Sequence, residues 1–258
     1  MESDTTLATL LRRDRVVVTA GLIAVAAVGW AYMLHLAQGM AGMDMESDMT
    51  MPQMQAWGPV DLALVFVMWA IMMVAMMVPS AAPLILMMAA ANRRRRQQDD
   101  PLVPTSLFLG GYLLAWTAFS AVATTAQWGL HSAALLSPAL VHTSPLLGGA
   151  LLVLAGVFQF TPLKQACLAH CRSPLGFVVG HWRDGRVGAM RMGLEHGLYC
   201  VGCCWILMAL LFVAGVMNLA WVAGISLFVL AEKVLPGGEL IGKLGGLALL
   251  ATGVVLLV

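Results

Sequence analysis

The segment "HGLYCVGCCWILM" spaces His196, Cys200, Cys204 and Met208 four residues apart, with Cys203 beside them. On a helix that spacing puts the four on one face. Upstream, "CLAHC" sets Cys167 and Cys171 one turn apart. A second concentration of sulfur is "MAGMDMESDMTMPQM", Met40 to Met54, with six methionines, three carboxylates and no leucine, valine or aromatic residue. Methionine ordinarily fills gaps in a core, and a segment this polar has no core to fill. Its thioethers read instead as ligands. Met43 and Met45, then Met49 and Met51, stand two apart, and Asp44, Glu46 and Asp48 add attraction for a cation. Soft sulfur selects soft ions, above all Cu(I). A methionine-rich linker is the bland alternative.

A third group lies in "MWAIMMVAMMVPSAAP". Met68, Met72 and Met76 repeat every four residues, as do Met73 and Met77, so they line adjacent strips of one helical face. Pro79 and Pro83 follow, and proline inside a helix kinks it and frees backbone carbonyls beside those sulfurs. Methionine in an apolar helix is more often packing than ligand. Beside the loop, the stripe reads as a continuation of a soft-metal path.

The elements that must position these residues are apolar helices. The chain has 258 residues, 60% hydrophobic and 10% charged, against roughly 25% charged for a soluble domain. Several uncharged runs exceed the roughly 20 residues that cross a bilayer as a helix. The expected fold is an all-α, polytopic transmembrane helical bundle of about seven spans, with six as the other count. A cytoplasmic segment, residues 1–15, precedes a single transmembrane domain, residues 16–258, with an extracytoplasmic methionine-rich loop at about 38–60. The expected spans are Val16 to Leu36, a crossing within Leu62 to Asn92, Leu107 to Gly129, Leu146 to Leu163, two from the long run His196 to Ala231, and one from Ile241. That long run must fold back, with "GVMN", Gly215 to Asn218, as the turn. The first apolar run reads as a retained span, because no small-residue cleavage site follows it.

Arginine and lysine concentrate on cytoplasmic loops. They precede the first span (Arg12, Arg13, Arg15), follow the second (Arg93 to Arg96), fill the 164–191 connection and recur at Lys233 and Lys243, while 38–60 and 130–145 contain none. The expected orientation is N-terminus inside, in a bacterial inner membrane, with the methionine loop on the oxidising side and the cysteines near the inner face. Gly193 and Gly197 read as small-residue packing between helices.

On the reducing side, clustered cysteines point to metal binding or redox chemistry rather than a disulfide framework. Any single one could be a small buried hydrophobe. Structural zinc favours soluble knuckles with paired hooks. Cys200 and Cys203 form a C-x-x-C, so a membrane thiol–disulfide oxidoreductase is a second reading, one that leaves the methionines unexplained. A haem-handling protein with His196 and a methionine as axial ligands is a third, although C-x-x-C-H is absent. Glu232 and Lys233 read as interfacial charges, His170 and His181 as inner-loop residues, and Asp61 as a helix cap. No P-loop, nucleotide site or hydrolytic constellation occurs, and no basic, aromatic-interleaved helix suggests nucleic acid.

The segments "MWAIMMVAMMVPSAAP", "CLAHCRSPLGF" and "GLEHGLYCVGCCWILMALLFVAGVMNLAW", followed by "EKVLP", resemble an uncharacterised bacterial family of predicted metal-binding integral membrane proteins, often labelled copper chaperones. "HGxYCxGCCW" is its most specific part. The resemblance implies copper and points to Met73, Met76, Met77, His196, Cys200, Cys203 and Cys204; the methionine loop lies outside it. The expectation is a non-enzymatic, membrane-embedded Cu(I)-binding protein, chaperone or permease. It would capture copper on outer methionines, take it through Met72, Met73, Met76 and Met77, and hand it to the His/Cys cluster. Its expected partners are the copper ion, the lipid bilayer and a soluble or periplasmic copper protein.

Overall fold

The computed structural model describes residues 2–41, 57–96, 104–133, 145–213, 215–216 and 218–258, and among them every regular element is helical. The segment carrying Met43, Met45, Met49 and Met51 lies outside the described residues. The helices are α1 (Glu2–Ala41), α2 (Pro59–Arg96), α3 (Thr105–Ser132), α4 (Pro145–Phe158), α5 (Pro162–Arg172), α6 (Pro174–His181), α7 (Gly185–Ala209), α8 (Leu219–Val234) and α9 (Gly238–Leu257).

The breaks follow local chemistry. Pro162 and Pro174 sit at the first helical position, where a missing N–H costs nothing. The preceding Thr161 and Ser173 cap their helices, accepting the N–H groups of Lys164 and Gly176. Between α4 and α5 the chain bends by 66°. Gly215 takes φ +84°, a conformation that suits glycine. Asn218 then caps α8 by accepting the Trp221 N–H at 3.1 Å, so the chain breaks at the expected turn. At the start of α2, Asp61 Oδ2 accepts the Gly58 N–H at 2.8 Å, the returning half of a capping box.

Five helical stretches are long and apolar enough to cross a membrane: Val16–Gly39, Pro59–Asn92, Thr105–Ser132, Gly185–Phe212 and Gly238–Leu257. The bent pair Leu146–Phe158 and Pro162–Arg172 makes a sixth if it counts as one span. With 16 residues, α8 is about 24 Å long, short of the roughly 30 Å apolar core. Length and composition therefore support five or six crossings, compatible with membrane insertion, and not the seventh that the long uncharged run suggested.

Two contacts mark opposite ends of the bundle. Arg95 at the end of α2 pairs with Asp184 at 2.6 Å and lies over the Trp182 ring, joining two arginine-bearing segments. Trp57 stacks on His131 with centroids 4.7 Å apart, joining the two connections that lack lysine and arginine. The charge pattern had paired these same segments.

Helices α3 and α7 run side by side, Phe108 against Gly193 and Tyr112 and Ala115 against Gly197. A Cβ on Gly193 would collide with the Phe108 carbonyl oxygen, and one on Gly197 would lie 2.7 Å from Ala115 Cβ. Glycine is required there because the backbones nearly touch. A similar seam joins α4 to α9, where Gly149 and Gly156 meet Gly253 and Gly246. Helices α5 and α8 pack against α7 as well.

Candidate metal centre

Met72, Met73, Met76 and Met77 are all buried, with at most 1% of each side chain exposed. The α2 stripe therefore faces protein, as the four-residue spacing required. The helix continues through Pro79 and Pro83. Beside Pro79, the Met77 carbonyl accepts both the Ser80 hydroxyl at 2.9 Å and the Tyr112 hydroxyl at 3.0 Å.

Tyr112 carries the link onward. Its oxygen is also 3.1 Å from Cys200 Sγ on α7. A phenol has one proton for these two neighbours. When Tyr112 donates to Met77, Cys200 must be the donor to Tyr112; when Cys200 is a thiolate, Tyr112 is free to donate to it. The protonation of one sulfur thus decides how the methionine helix is tied to the cysteine helix.

On α7, Cys200, Cys203 and Cys204 are each at most 1% exposed, and all five cysteines are free thiols. Cys203 and Cys204 donate to the Cys200 carbonyl at 3.1 and 2.9 Å. Because α7 starts at Gly185, Cys200 lies about 22 Å along it. That is near the middle of the helical stretch Gly185–Phe212. The α5 cysteines divide. Cys171 has Cys200 and Cys203 as neighbours, whereas Cys167 lies against Gly202, where a Cβ would be 2.8 Å from its sulfur.

His196 is 3% exposed and enclosed by Phe108, Tyr112 and Phe177, with ring centroids 6.2, 5.8 and 5.1 Å away. Its Nδ1 is buried without a hydrogen-bond partner, and such an orphan atom calls for an explanation. His196 stands one turn before Cys200 on α7. Met208, at the far end of the ladder, is fully buried in the core. His170 and His181, expected on an inner loop, belong to a stacked group with Tyr199 and Phe177.

The side chains that sequence reasoning set aside are the charged ones. Glu232 and Lys233 are 2% and 6% exposed rather than interfacial. Glu232 pairs with Lys164 at 2.6 Å, and Lys164 also donates to Gln159. Lys233, the next residue, points the other way: its ammonium lies 2.8 Å from Cys200 Sγ and 3.4 Å from Ser80 Oγ. An "EK" pair inside an apolar run was the available signal, since buried charge in such helices marks function by default.

The structure thus gathers Cys171, Cys200, Cys203 and Cys204, with His196 adjoining and the Met77 carbonyl linked through Tyr112, and leaves Cys167 at the margin. Among the described residues, no three His, Cys, Asp or Glu side chains are arranged as a ready metal-binding group. Two of the α7 thiols turn back onto their own helix instead of converging on one point. Rotation about χ1 would release them, and a soft monovalent ion needs only two sulfurs. Methionine sulfurs, which would add to the set, stand outside that count.

Residues 66–256 match the family model PpoB2, described as copper chaperone. The match begins within α2 and runs into α9, leaving out α1 and the methionine segment. No curated protein and no solved structure matches the chain.

Proposed function

The chain belongs to the PpoB2 copper chaperone family, and from that premise we propose that it is a multi-pass inner-membrane protein that binds Cu(I) as cargo, not as an enzyme. Copper is captured outside on Met43, Met45, Met49 and Met51, moves past Met72, Met73, Met76 and Met77, and is held by His196, Cys200, Cys203, Cys204 and Cys171. Neutral thioethers give way to thiols that bind as thiolates, so affinity rises inward along the path. One observation carries the reading. A single buried side chain, Tyr112, reaches the Met77 main-chain carbonyl at 3.0 Å and Cys200 Sγ at 3.1 Å, which ties the methionine helix to the cysteine helix and supports a route between them.

Burial also favours metal over thiol exchange. A thiol–disulfide enzyme must offer its attacking sulfur to a partner, and Cys200 and Cys203 are each 1% exposed. The test is Cu(I) stoichiometry of the full-length protein in detergent, beside a Cys200→Ala/Cys203→Ala/Cys204→Ala variant. The wild type should bind copper and the triple variant should lose the tight fraction. Undiminished tight binding by the triple variant, or a reversible Cys200–Cys203 disulfide in cells, would overturn the proposal.

A further inference from the structure

The ammonium of Lys233 is buried, 2.8 Å from Cys200 Sγ, with Cys203, Cys204 and Cys171 farther off but within range of its charge. The neighbouring carboxylate makes no ion pair with it, because Glu232 is turned toward Lys164 at 2.6 Å. Ser80 offers only a hydroxyl at 3.4 Å. A fixed positive charge therefore sits against sulfur in a water-poor interior, where unbalanced charge is expensive.

We propose that Lys233 is a specificity-determining residue that balances charge at the thiol cluster and so selects a monovalent soft cation over a divalent one. The inference rests on the metal-site reading above. A monovalent ion held by two thiolates leaves a net charge of minus one, and the ammonium brings the assembly to zero. A divalent ion with the same two thiolates is already neutral, and the ammonium then leaves an uncompensated positive charge. Balancing it would take a third thiolate, and with it the loss of a further bond from Cys203 or Cys204 to the Cys200 carbonyl. Lys233 itself needs no place among the ligands. It acts from 2.8 Å behind one of them, held by the turn of α8 whose preceding residue is anchored to α5 through Lys164.

The experiment measures affinities of the full-length protein in detergent for Ag(I), a redox-stable monovalent probe, and for Zn(II), each by competition with a chelator. Lys233→Met should lower the ratio of Ag(I) to Zn(II) affinity by about tenfold or more, since an opposite charge a few ångströms away is worth at least that much in a partly apolar site. Lys233→Arg, which keeps the charge, should hold the ratio near the wild-type value, an outcome that a purely structural role does not predict. Lys233→Gln is measured alongside, so that poor recovery of the methionine variant leaves the question answerable, and it should show the same shift. An unchanged ratio in both neutral variants, with Ag(I) still lost from a Cys200→Ser/Cys203→Ser variant, overturns the charge-balancing role and leaves the metal site standing. Ag(I) retained by that cysteine variant overturns both.

Discussion

Lys164 on α5 and Lys233 on α8 are both buried cations, and they have different partners. Lys164 meets Glu232 at 2.6 Å and also reaches Gln159, so its charge is matched by a carboxylate and its donors by oxygens. Lys233 meets Cys200 Sγ and a serine hydroxyl, and sulfur carries a charge only when deprotonated. The first arrangement has one stable state. The second has two, because the thing opposite the ammonium can gain or lose a proton or a metal. Adjacent residues on one helix thus divide the work between holding the bundle and serving its site.

That division predicts a graded series. The largest effect belongs to Glu232→Ala, which leaves the Lys164 charge buried with no carboxylate and only Gln159 to accept from it. It should destabilise the protein by about 3–5 kcal/mol, measured by denaturation in detergent, while a Lys164→Met/Glu232→Leu double variant recovers most of that loss. Lys233→Met comes next. Cys200 keeps its Tyr112 contact and can remain a thiol, so the cost should be that of one charged hydrogen bond, about 1.5–3 kcal/mol. A loss equal to that of Glu232→Ala would erase the distinction between the two lysines. Ser80→Ala should be the mildest, about 0.5–1.5 kcal/mol, because the Met77 carbonyl keeps Tyr112 and Lys233 keeps Cys200. A Ser80→Ala loss exceeding that of Lys233→Met would show that the serine, and not the thiol, is what the lysine is placed for.

Much of this arrangement could be read before any coordinates. The all-helical architecture follows from composition, and the four-residue spacing of Met72 and Met76, or of His196, Cys200 and Cys204, fixes which side chains share a face. Gly193 and Gly197 announced a close seam. What those patterns omit is the partner helix. Nothing in the sequence near Glu232 indicates Lys164, 68 residues away, because a salt bridge across helices has no local period. The split between Cys167 and Cys171 was hidden for the same reason: Cys171 neighbours Cys200 while Cys167, one turn earlier, lies against Gly202. The long uncharged run divides at the expected turn, but the 16 residues of α8 fall short of the full crossing that hydropathy suggested.

The order in which the chain is made gives the Lys233 contact a further meaning. Lys233 follows Cys200 by 33 residues, and at typical synthesis rates of about 5–20 residues per second the thiol precedes its ammonium by about 2–7 s. Lys164 likewise waits for Glu232. Helix α7 can dock on α3 through its glycines during that interval, since Phe108, Tyr112 and Ala115 are already present. The pocket is therefore framed first and charged last, and a nascent chain arrested before residue 233 would carry the cysteines without the cation that faces them.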